Sequence, residues 1–83
     1  MPTVHRLGPY RFYFFSEENH ASHEPPHLHV RSGGGVASFW LAPVRTRDFQ
    51  GYNPVEVERI RRIVDANRDL LLRRWHEIGR AHV

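Results

Sequence analysis

Four histidines and a glutamate fall within eleven positions, in the run His20-Ala21-Ser22-His23-Glu24-Pro25-Pro26-His27-Leu28-His29-Val30. Imidazole titrates near neutrality, carries protons in acid–base chemistry and ligates transition metals. Leu28 and Val30 alternate with His27 and His29, which predicts a strand with both rings on one face, about 7 Å apart at the backbone. Rings so placed converge on one metal ion if a third ligand arrives from the preceding loop. His23 is the first choice for that ligand, with Glu24 as a carboxylate alternative and His20 beside them. Nitrogens with at most one carboxylate suit zinc, iron or nickel rather than magnesium or calcium. Pro25-Pro26 restricts the residues before it and stiffens the approach to the strand. Without metal, the same histidines beside an arginine have the parts for acid–base cleavage of an RNA backbone. The catalytic candidates are then His27, His29 and Arg31, with Arg6 and Arg11 as further sheet arginines. The His-x-His spacing equally fits rings that line the solvent face of a half-exposed sheet or pair with Glu17 and Glu18. His5, His76 and His82 fall at strand, helix-surface and tail positions.

The elements that must hold these side chains divide the chain in two. Residues 1–50 read as strands and turns. Thr3 to Leu7 is a short strand that stops at the turn pair Gly8-Pro9. Tyr10 to Phe15 is rich in β-preferring aromatics, with Phe12 and Phe14 on one face and Tyr13 and Phe15 on the other. Residues 16–26 read as a loop. His27 to Arg31 resumes the alternation, Ser32-Gly33-Gly34-Gly35 connects a hairpin, and Val36 to Leu41 returns until Pro43, which cannot donate to a ladder. Val44 to Phe49 fits a short edge strand and irregular chain equally. Residues 51–83 read as helix: Asn53 at the N-cap, Pro54 at the first helical position and Glu56 at capping-box spacing, with Tyr52 and Val57 placed as a hydrophobic staple. Val57, Ile60, Val64, Leu71, Trp75 and Ile78 recur at helical spacing. Asn67 interrupts that stripe, which predicts two helices, the second capped by Asn67, or one with a marked break; Gly79 is the expected stop. The fold expectation is an α+β single domain over 1–83, a small antiparallel sheet of three to four strands packed against one or two C-terminal helices. Phe12, Phe14, Phe39 and Trp75 are expected in the core. Tyr13 and Trp40, on the opposite sheet face, are the candidates for a partner surface.

Composition narrows the setting more than the activity. A chain of 83 residues has room for one core. It has no cysteine, so disulfides and thiolate metal sites are excluded. The first residues lack the apolar core of a secretory signal, and no apolar run approaches the roughly 20 residues that span a bilayer, so the expected location is the cytoplasm with no membrane partner. Every cation other than histidine is arginine, yet the formal charge is only +3, small for a nucleic-acid binder. Residues 1–50 carry five arginines and four acids, and residues 51–83 seven and five, so neither half is a basic arm. Glu58, Asp65, Asp69 and Glu77 stand three or four residues from arginines, the spacing of a self-compensated helix surface.

The opening Met-Pro-Thr-Val, the strand Tyr10 to Phe15, the run His23-Glu24-Pro25-Pro26-His27-Leu28-His29-Val30, Phe39-Trp40-Leu41 with Pro43-Val44, and Asn67-Arg68 to Trp75 resemble domain-of-unknown-function family 4160. The resemblance spans nearly the whole chain, with Glu-Pro-Pro-His-Leu-His-Val its most specific part. It implies a compact bacterial strand-then-helix domain, often encoded beside a small protein of another uncharacterised family in a toxin–antitoxin-like pair. It brings no catalytic residues. Three functions are therefore expected to compete: a partner-binding component of a two-gene module, whose partner is a cognate small protein encoded nearby or a second copy of the chain; a metal-dependent hydrolase or nuclease using the histidines, with zinc as the cofactor; and a metal-free RNA-binding protein or RNase.

Overall fold

The computed structural model describes residues 3–15 and 25–81. Five strands, β1 (Thr3–Leu7), β2 (Tyr10–Tyr13), β3 (His27–Ser32), β4 (Gly35–Leu41) and β5 (Val44–Gln50), form one antiparallel sheet in chain order. The sheet thus has five strands rather than three or four, because Val44–Gln50 pairs with β4 along its length. Its alternation is scrambled by a bulge opposite Ser38 and Phe39, and an edge strand half-covered on one face need not read as clean alternation. Two helices follow, α1 (Pro54–Ala66) and α2 (Arg68–Ala81).

The alternation in β2, β3 and β4 sorts side chains as the spacing predicts. Phe12, Phe14, Leu28, Val30, Phe39 and Leu41 are almost fully buried and meet Val57, Ile60, Val64, Leu71 and Trp75 from the helices in one core. Trp75 packs edge-on against Phe14, with ring centroids 5.4 Å apart.

Two turns depend on particular residues. Leu7 pairs with Tyr10 and Ser32 with Gly35, so Gly8-Pro9 and Gly33-Gly34 are two-residue turns. Gly8 and Gly33 take φ of 58° and 51°, a region that side chains disfavour. Gly35 lies beneath the ring of Tyr52, whose hydroxyl is 2.7 Å from Ser32 Oγ. The residue before the α1 cap is thereby tied to the β3–β4 hairpin.

Asn53 caps α1 through its side-chain oxygen, which accepts from the Glu56 amide at 2.8 Å. Such a cap is worth about 1 kcal/mol. Only half of a capping box forms, because the Glu56 carboxylate accepts a hydrogen bond from the Tyr10 hydroxyl at 2.9 Å. Burial, then the bond and charge of Glu56, raise the Tyr10 phenol above its ordinary 10.0. The folded chain therefore holds this proton more tightly than the unfolded chain, and the associated stability is complete below about pH 10 and lost as pH rises through the folded value. Tyr10→Phe is expected to cost about 1 kcal/mol near neutrality. Urea denaturation from pH 8 to 11 should show the gap between wild type and variant closing on the alkaline side.

Asn67 ends α1 rather than capping α2 with its side chain. Its Nδ2 donates to the Ile63 carbonyl at 2.8 Å, while its own carbonyl accepts from Leu71 N at 3.0 Å and starts the next helix. The expected break is there, but the side chain works backwards. The expected stop at Gly79 does not occur, since α2 continues to Ala81.

Candidate functional site

The face of the sheet away from the helices carries β1 residue 6, β2 residues 11 and 13, β3 residues 27, 29 and 31, and β4 residues 36, 38 and 40. It divides into an aromatic–histidine half and an arginine half.

In the first half Tyr13, His29, Ser38 and Asp48 lie in one cross-strand row, and His27 pairs with Trp40 in the next. Leu28 and Val30 point into the core, so the register places His27 and His29 on this opposite face as the spacing predicts. Their surroundings differ from two rings lining a solvent face. His27 is fully buried, with ring centroids 5.6 Å from Trp40 and 5.2 Å from Trp75. Trp75 touches both Phe14 and His27, so it closes the end of the sheet. His27 Nδ1 lies 2.9 Å from the Pro25 carbonyl. That oxygen only accepts, so Nδ1 is the donor in this contact. The Pro26 carbonyl meanwhile accepts from Leu41 N at 3.0 Å, extending the ladder through the proline pair and holding this geometry.

His29 is half-buried, stacked on Tyr13 at 5.6 Å and met edge-on by Phe15 at 4.5 Å. The centroids of His27 and His29 are 5.5 Å apart. The structure thus brings together two of the three expected metal ligands, while His23, Glu24 and His20 lie outside the described residues. Among the described residues no group of three or more histidines, cysteines or carboxylates gathers around one point. Of the catalytic candidates, His29 and Arg31 are neighbours on this face, whereas His27 and Arg31 are four residues apart along β3, roughly 13 Å in an extended strand. Of the two residues assigned to a partner surface, Tyr13 is only 6% exposed. Trp40 is half-buried and lies 5.2 Å beneath the Arg47 guanidinium.

The second half was not visible in the charge counts. Arg6 pairs directly with Arg11, and Arg11 with Arg31, across β1, β2 and β3. At the opposite end of the same face, beside the aromatic–histidine half, Arg45 of β5 pairs with Trp40 of β4, and Arg47 at the bulge covers the same indole. All five arginines of residues 1–50 therefore occupy one sheet face. Among the described residues the face has one acid, Asp48, which accepts from Ser38 Oγ at 2.6 Å. The helices are the opposite case. Glu58 binds Arg61 at 2.8 Å and approaches Arg62 at 3.8 Å, and Arg74 meets Glu77 at 3.3 Å. The bond from Arg61 lowers the Glu58 pKa, and the same bond raises that of Arg61. A hollow of about 720 Å³ along α1, beside Val55, Arg59, Arg62 and Ile63, lies on this compensated surface.

A five-stranded meander backed on one side by two helices, with basic and aromatic side chains on the other, defines a small α+β domain. The family described as "Domain of unknown function (DUF4160)" matches residues 10–76, and the chain belongs to it. No curated protein and no solved structure matches the chain. No helix among the described residues is long and apolar enough to cross a membrane.

Proposed function

We propose that the protein is a binding component of a two-gene, toxin–antitoxin-like module, and that its basic sheet face engages an acidic surface of the cognate small protein encoded nearby. The observation that carries this reading is the gathering of Arg6, Arg11, Arg31, Arg45 and Arg47 on one face. Complementary charge speeds encounter and rejects wrong partners, and arginine suits bidentate contact with carboxylates. An RNA reading fits less well. Single strands are held largely by bases stacked on open aromatic rings, and here Tyr13 is buried while Trp40 is covered by Arg47. Co-expression with the neighbouring gene product tests the proposal. A complex that survives purification at low salt and weakens as salt rises supports it; two proteins that elute separately under all conditions overturn it.

One observation favours a second reading, a zinc-dependent hydrolase or nuclease using His23, His27 and His29. Metal-binding imidazoles commonly donate their other N–H to a backbone carbonyl, which fixes tautomer and ring orientation, and His27 makes this bond to Pro25. Untagged protein should then contain about one zinc per chain, with His29→Ala losing it while remaining folded. Metal at a small fraction of the chain concentration rules this reading out.

A further inference from the structure

We infer that Arg6, Arg11 and Arg31 form a binding site for a single phosphate group. The three side chains leave the same face of three adjacent strands at directly paired positions, with neighbouring backbones about 4.8 Å apart. Like charges placed opposite one another in a sheet are destabilising. On the helices, by contrast, Arg61, Arg62 and Arg74 each have a carboxylate within 4 Å. No carboxylate among the described residues pairs with the three sheet arginines. A divalent oxyanion bound between them would neutralise most of the row.

The shape agrees with the charge. The three arginines border a concavity of about 240 Å³ whose rim is formed by the Gly8-Pro9 turn and by Gly33. Gly8 and Gly33 both have positive φ, and a Cβ built on either meets nothing within 4 Å, so the rim is open to solvent. Three guanidinium groups arriving from three strands offer donors from several directions. A tetrahedral phosphate with charge near −2 can accept from all of them, whereas a carboxylate has two oxygens in one plane and a single charge. The site uses part of the face assigned above to the partner, so it rests on that face being open. It needs no partner to operate.

The test is titration of the isolated full chain with inorganic phosphate, followed by the arginine Nε–H and backbone amide NMR signals at constant ionic strength. Saturable shifts are expected at Arg6, Arg11 and Arg31 and in the turns at Gly8 and Gly33, with Arg45, Arg61 and Arg74 unmoved. Arg11→Gln and Arg31→Gln should each weaken binding about tenfold, while Arg59→Gln, on the α1 surface, should leave it unchanged. Because these side chains are exposed, melting curves should show the variants folded. A parallel titration with a nucleoside 5′-monophosphate separates the sources. Equal affinity assigns the site to free phosphate, and tighter binding assigns it to a phosphate monoester. Shifts spread evenly over all arginines, or an equal response to acetate, overturn the inference. Phosphate binding by a chain that ignores its genetic neighbour would overturn the partner reading and leave this one standing.

Discussion

Gly51→Ala is expected to destabilise the fold by about 3 kcal/mol, combining backbone strain with overpacking. For a domain of this size, total stability is about 4–12 kcal/mol, so the loss is a quarter or more of it. Gly51 has φ of 83°, and a Cβ there would lie 2.5 Å from the Gly34 carbonyl oxygen and 2.9 Å from Gly35 Cα. Those atoms belong to the β3–β4 hairpin, where Ser32 pairs with Gly35 across a two-residue turn, so relaxation moves backbone rather than a side chain and is costly. Gly35→Ala provides the control. Its Cβ would strike the Tyr52 ring, a side chain, so removing that ring with Tyr52→Ala should recover most of the added strain. No single side-chain deletion should rescue Gly51→Ala. Urea unfolding of the two variants, each with and without Tyr52→Ala, checks the account. Equal rescue in both pairs would show that the hairpin–helix junction is not held by backbone contact.

The double variant Arg11→Glu/Arg31→Glu is expected to weaken association with the cognate protein by about a hundredfold or more, since close charge pairs across interfaces carry coupling energies of roughly 1.5–7 kcal/mol. The two residues are exposed and directly paired, so reversing both replaces attraction by repulsion across one patch without disturbing the core. Arg59→Glu, on the α1 surface, changes the net charge in the same direction and should have a small effect. Calorimetric titration at low and moderate salt measures both. The wild-type affinity should fall with salt as screening shortens the reach of the field. If the two variants lose affinity equally, net charge rather than this face controls binding.

The two cases differ in how far the sequence reveals them. The core was legible because Phe12, Leu28, Val30 and Phe39 keep strict alternation and Val57 to Trp75 keep helical spacing, each driven by burial on one side only. The break at Asn67 was legible as a polar residue in an apolar stripe, although the direction of its hydrogen bond was not. β5 was obscure because the bulge at Arg47 shifts its parity and both Phe49 and Thr46 remain largely exposed. The arginine row was half visible. The two-residue turn at Gly8-Pro9 sets Arg6 opposite Arg11, but the position of Arg31 depends on the β2–β3 register, which a long connection leaves unspecified by local chemistry. Counting charge along the chain averaged over this arrangement, since the acids of residues 1–50 other than Asp48 all fall within 16–24. The histidine pair was placed on the right face, yet nothing local announced that Trp75, 48 residues further on, would cover His27.

Hydrogen exchange of the chain with and without the purified proposed partner locates the interface. New protection is expected at the backbone amides of β1, β2 and β3 around Arg6, Arg11 and Arg31, with the exposed side of α1 near Val55, Arg59 and Arg62 unchanged. Protection confined to α1, with the sheet amides unaffected, would contradict the proposed sheet interface.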